Sequence, residues 1–220
     1  MFGSPVNTAN IKTTSYKVVI PFYLYSALSF LLSTILIFFS SDAFTLHYFH
    51  PHIFSITHIM ALGWGTMVIF GAGHQLIPVL IEGKLYSDKL AYATFILAAV
   101  GIPMLAHGFF LFDMGDIAKW GGRLVLLAIL AFLINVAKSV LDSKGRNVHI
   151  AFVLSSISWL FVTAFFGLML VYNFTVHFLS DTTLHYLPLH AHAGVIGWFL
   201  LLVIGMASRL IPMFLISKYR

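Results

Sequence analysis

The sequence predicts an all-α fold, a polytopic membrane bundle of six transmembrane helices, and three observations predict it. Hydrophobic residues make up 60% of the 220 and charged residues 9%, whereas a soluble domain carries about 25% charged residues. Mean hydropathy is +0.97. Six separate stretches stay apolar over the roughly 20 residues that a helix needs to cross a hydrocarbon core.

The elements follow in order. Span one, about Val18–Ser40, comes after a polar segment with Lys12 and Lys17 and no small-residue cleavage site. It therefore reads as a retained span and not as a cleaved signal peptide. Span two, about Ile53–Leu80, begins after "HYFHPH", where Pro51 suits the first helical position. Span three is about Leu90–Phe112, span four about Trp120–Val140, span five about His149–Tyr172 and span six about Leu189–Ile216. The links are short and none is low-complexity, so residues 1–220 form a single transmembrane domain. The chain stops four residues after span six, at "SKYR". Either six spans are the whole protein or they are the front of a longer one.

Basic residues give the orientation. Lys12, Lys17, Lys84, Lys89, Lys138, Lys144, Arg146, Arg209, Lys218 and Arg220 all fall on one side of the membrane, ten of the twelve. That side is expected to be cytoplasmic, with both termini inside. The other side carries Asp42, Asp113, Asp116 and Asp181, with Lys119 and Arg123 as its only cations. The net charge of +5 is thus a topological bias and not a nucleic-acid footprint. Without cysteine, disulfides, thiolate zinc sites and covalent c-type haem attachment are excluded.

An internal repeat refines the fold. His58–Pro78 reads HIMALGWGTMVIFGAGHQLIP and His192–Pro212 reads HAGVIGWFLLLVIGMASRLIP, with seven identities in 21 ungapped positions. His, Gly-Trp, Gly and Leu-Ile-Pro all recur at an offset of 134 residues, which is four spans. Span six therefore repeats span two in the same orientation.

Nine of the eleven histidines fall on the expected outer side, and only His74 and His149 are inner. Ionisable residues inside spans mark functional sites. At 100° per residue, the residues below His58 on its own face are Leu62, Gly65, Ile69 and Ala72; below His192 they are Ile196, Phe199, Val203 and Met206. Each histidine then heads an apolar wall with no acidic neighbour. That suits a flat apolar ligand anchored through one nitrogen, and a haem fits, with His58 and His192 as iron ligands. The plainer alternative is a buried imidazole bonded to a backbone carbonyl. His190 and His192 point about 200° apart on a helix, so they cannot hold one metal side by side. His190 faces either a cofactor or an interface. Arg123 could pair with a haem propionate or reach the headgroups. His47, His50 and His52 either form a wet interfacial loop or bind copper or zinc. The repeated Gly63, Trp64, Gly71 and Pro78, with their counterparts in span six, read as helix-packing residues.

Thr57, His58, Gly71 and Pro78 give span two a pattern that resembles the second span of the haem–copper oxidase subunit I superfamily, the cytochrome c oxidases and nitric oxide reductases. The resemblance covers about spans one to six, the front half of such a subunit. It implies haem b near the outer face, ligated at His58 and, through the repeat, at His192. It further implies electron transport in a respiratory chain, with oxygen or nitric oxide as acceptor and a cytochrome c-type or quinol donor. Other oxidase subunits and membrane lipid would be partners, nucleic acid would not, and the location would be the cell inner (cytoplasmic) membrane. The chain departs from the family in span six, where "HAHAGVIGW" stands in place of a His-Pro-Glu-x-Tyr motif. Copper and the enzymatic role are left open by that departure. The alternative from another class is a histidine-rich transition-metal transporter or a nitric-oxide-response sensor.

Overall fold

The computed structural model describes residues 14–143 and 148–215. Lys12, Lys144, Arg146, Lys218, Arg220 and the last residue expected in span six lie outside them. Among the described residues the chain is helical almost throughout, with no strand. Six helices are long and apolar enough to cross a membrane: α1 Tyr16–Phe39, α2 Pro51–Leu80, α3 Asp88–Leu111, α4 Asp116–Leu141, α5 Val148–Val176 and α6 Thr183–Phe214. This is the all-α, multi-pass membrane bundle that the apolar runs predict, and its even number of crossings leaves Tyr16 and Phe214 at one end.

Local chemistry sets the helix starts. Ser15 caps α1 by accepting from the Lys17 N–H at 3.4 Å, and Ser87 caps α3 by accepting from the Leu90 N–H at 3.2 Å. His50 caps α2 through its ring Nδ1, which accepts from the His52 N–H at 3.3 Å, and Pro51 takes the first turn, where no amide donor is needed. Asn135 of α4 ties the α2–α3 link: its Oδ1 accepts from the Ser87 N–H and its Nδ2 donates to the Ser87 carbonyl, both at 3.0 Å. Inside α3, Pro103 removes the amide that would bond the Ala99 carbonyl, and the Tyr25 hydroxyl of α1 donates to that carbonyl instead at 3.4 Å.

Each helix packs on the next along the chain, and α2 also reaches α4. The core runs through this series, with Phe22, Met67, Phe70, Ile129, Phe132 and Ile157 all 2% exposed or less. In a membrane such packing depends on close approach, because lipid is as apolar as the side chains. α3 and α4 approach most closely: a Cβ on Gly101 would lie 2.9 Å from the Gly121 carbonyl oxygen.

The repeat appears in the backbone. Directly after His58 the α-helix gives way to a π-helical segment, Ile59–Thr66, and directly after His192 to another, Ala193–Leu200. Both then return to α-helix, over Met67–Leu80 and Leu201–Phe214. The two segments match residue for residue at the sequence offset of 134. Packing repeats too. Gly63 and Gly71 of α2 face Ser29 and Phe22 of α1, while Gly197 and Gly205 of α6 face Trp159 and Phe152 of α5. On both partner helices those contacts are seven residues apart. The packing role expected of the repeated glycines is what these contacts show.

Candidate functional site

The site is formed by one histidine of α2 and one of α6 whose rings face each other. His58 sits two turns into α2, on the last α-helical residue before the π segment. Its Nδ1 lies 2.8 Å from the Phe54 carbonyl oxygen. A carbonyl only accepts, so Nδ1 carries the proton and donates, which leaves Nε2 with a free lone pair. Metal-ligating histidines are held in this way, the second nitrogen fixed by a carbonyl so that tautomer and ring orientation are set. Phe54 and Phe109 flank the ring, each with its centre 4.6 Å away.

Opposite stands His190. Its ring centre is 6.4 Å from that of His58 and the two planes differ by 15°. α5 makes the room: a Cβ on Gly167 would lie 2.7 Å from the His190 Cε1, so any larger residue there displaces the ring. The His190 Nδ1 is buried without a hydrogen-bond partner, as is the His74 Nε2, and the backbone of Thr163 in α5 approaches the His190 ring. A buried imidazole nitrogen left unpaired is unfavourable unless something else binds it.

The spacing can be compared with metal geometry. Two imidazoles on opposite sides of one metal, each bonded at about 2 Å, put their ring centres about 6 to 6.5 Å apart. The His58 and His190 ring centres have that spacing, 6.4 Å, with planes 15° apart.

The other sequence-derived candidates fall elsewhere. His192 makes the same intrahelical bond as His58, Nδ1 to the Pro188 carbonyl at 2.7 Å, but its ring is exposed on the outside of the bundle. The structure thus brings His58 to His190 and not to His192. Arg123 donates to the Tyr172 hydroxyl and stacks over Trp120 at 4.5 Å. His74 is fully buried towards the far end of α2, between Phe22 and Phe132, with its Nδ1 donating to the Phe70 carbonyl. His50 caps α2, and His52 stacks on Phe110 at 4.1 Å. Among the described residues no three side chains of metal-ligating type come together.

One expectation needs correction. The wall drawn below His58 through Leu62, Gly65, Ile69 and Ala72 assumes 100° per residue. The π segment bonds i to i+5, so each of its turns takes more residues and the face rotates away from that line. The ring is enclosed by Phe54 one turn before it and by Phe109 of α3. Phe54 was open to discovery at i−4. Phe109 and Gly167 come from other helices, and nothing local in the sequence marks them.

Comparison of the chain with protein-family models, with curated proteins and with solved structures gives no match to any of them.

Proposed function

We propose that this is a haem-binding integral membrane protein that carries electrons, and that His58 and His190 would hold one b-type haem between them. The observation that supports it best is the facing pair of rings at 6.4 Å, one fixed by a carbonyl at Nδ1 and the other with a buried, unpartnered nitrogen. Bound there, the haem would supply a one-electron ferric–ferrous couple. The chain's own residues do the rest. The Phe54 carbonyl holds His58 in the ligating tautomer, Phe54 and Phe109 keep water from its ring, and Gly167 leaves space for His190.

The wider role rests on the resemblance of α2 to oxidase subunit I. On that ground the protein belongs to a respiratory oxidoreductase of the inner membrane that passes electrons from a cytochrome c-type or quinol donor towards oxygen or nitric oxide, alongside other subunits. The reading includes no copper. The test is a reduced-minus-oxidised spectrum of the purified protein, with haem extraction. The expected result is b-type bands at one haem per chain, lost in His58→Ala. Absence of those bands, or their persistence in the variant, contradicts the proposal.

A further inference from the structure

We propose that the Asp116 end of α4, with the facing end of α5, binds one anionic phospholipid. Lys119 and Arg123 hold its phosphate and an apolar recess on α5 takes an acyl chain. Lys119 and Arg123 are four residues apart, so they share a face of α4. Both turn to Tyr172 of α5: the Lys119 Nζ lies 5.3 Å from the ring centre and the Arg123 guanidinium 5.5 Å, with Arg123 also donating to the hydroxyl. Their partners are aromatic, not carboxylate. Asp113 and Asp116, at the same end, are exposed, and an Asp113 Oδ1 is engaged by the Gly115 N–H at 2.9 Å.

Tyr172 also borders a recess of about 300 Å³, lined otherwise by Phe165, Leu168, Met169, Val176 and Phe178. Phe165, Val176 and Phe178 are each close to half exposed or more, so the recess opens to the outside of the bundle. Arg123 is seven residues into α4, about 10 Å below its start at 1.5 Å per residue. A helix of 26 residues overhangs a core of about 30 Å by about 5 Å at each end, so Lys119 stands at the boundary and Arg123 about one turn within it. Two cations beside the middle of an apolar slot complement an anion carrying a hydrocarbon tail. A zwitterionic lipid brings its own ammonium against them, so the site discriminates against it.

This site shares no residue with the His58–His190 pair, and the two proposals stand or fall separately. The full chain in mild detergent is titrated with phosphatidylglycerol and with phosphatidylcholine of the same acyl chains, and bound lipid is counted by native mass spectrometry. The expected result is one phosphatidylglycerol held roughly twentyfold more tightly than phosphatidylcholine. Lys119→Gln with Arg123→Gln removes the preference, while Lys84→Gln with Lys89→Gln, at the opposite end, leaves it. Equal binding of the two lipids by the unmodified protein overturns the proposal, whatever the variants do. A preference for phosphatidylglycerol that survives in the Lys119→Gln, Arg123→Gln double variant also overturns it.

Discussion

α2 and α6 share a backbone plan and differ in their surroundings. Each carries a histidine bonded to the carbonyl four residues earlier, then an eight-residue π segment, then a Gly-Trp pair inside it. Yet Phe70 and Ile77 of α2 are 1% and 3% exposed, while their counterparts Ile204 and Ile211 of α6 are 40% and 56% exposed. α2 is covered by α1, α3 and α4; α6 leans mainly on α5. The repeated histidine is therefore enclosed in one copy and bare in the other. In α6 it is His190, two residues earlier and on the opposite face, that meets His58. The repeat encodes the backbone, and the neighbours decide which imidazole has a partner.

Four comparisons sharpen or break that contrast. The largest expected effect is on haem ligation: His190→Ala keeps its haem but loses the low-spin b-type bands, and His192→Ala keeps them, as measured by reduced-minus-oxidised spectra. The opposite pattern would return the site to the repeat-equivalent histidine. Next, Gly167→Ala pushes a methyl into the space of the His190 ring, so haem occupancy should fall severalfold while thermal unfolding of the apoprotein changes little. Third, the two glycine contacts should respond unequally. A Cβ on Gly197 would lie 2.7–2.9 Å from three Trp159 indole atoms, but that ring is 44% exposed and can turn aside, so the cost is about 1 kcal/mol. A Cβ on Gly63 would lie 2.8 and 2.9 Å from the Ser29 Oγ and Cβ, and because that Cβ is fixed to the α1 backbone the helices must part, at a cost of about 2–3 kcal/mol. Melting of Gly197→Ala and Gly63→Ala in detergent compares them. The smallest effect belongs to Thr66→Val. The Thr66 hydroxyl donates to the Ala61 carbonyl inside the π segment at 2.8 Å, whereas α6 has Leu200 at that place and the same π segment. The substitution should cost no more than about 1 kcal/mol and leave the haem spectrum unchanged; a collapsed spectrum would mean that the hydroxyl holds the π turn.

The helices were legible because an apolar run has to match the hydrocarbon thickness. Span two was expected at about Ile53 and starts at Pro51, and span five runs to Val176, four residues past Tyr172. The extra turns are amphipathic ends carrying His, Asn and Thr, which hydropathy alone does not count. The π segments were hidden, since no residue type demands them; only the equal spacing from His to Pro in the two copies hinted at a shared backbone. At the site, the residue types were legible and their pairing was not. Helical geometry separates His190 from His192, but which of the two turns inward depends on Gly167 of α5, more than 20 positions away in the chain. The enclosing Phe109 is likewise a tertiary neighbour from α3.

The central claim is that His58 and His190 together clasp one haem, and ligand replacement tests it most directly. The purified, oxidised His190→Gly protein is examined by electron paramagnetic resonance before and after addition of imidazole. The unmodified protein is expected to give a single low-spin signal if both histidines hold the haem. The variant should convert to high spin, and free imidazole entering the vacated space against Gly167 should restore the low-spin signal. A low-spin signal that survives in His190→Gly without imidazole would contradict the account.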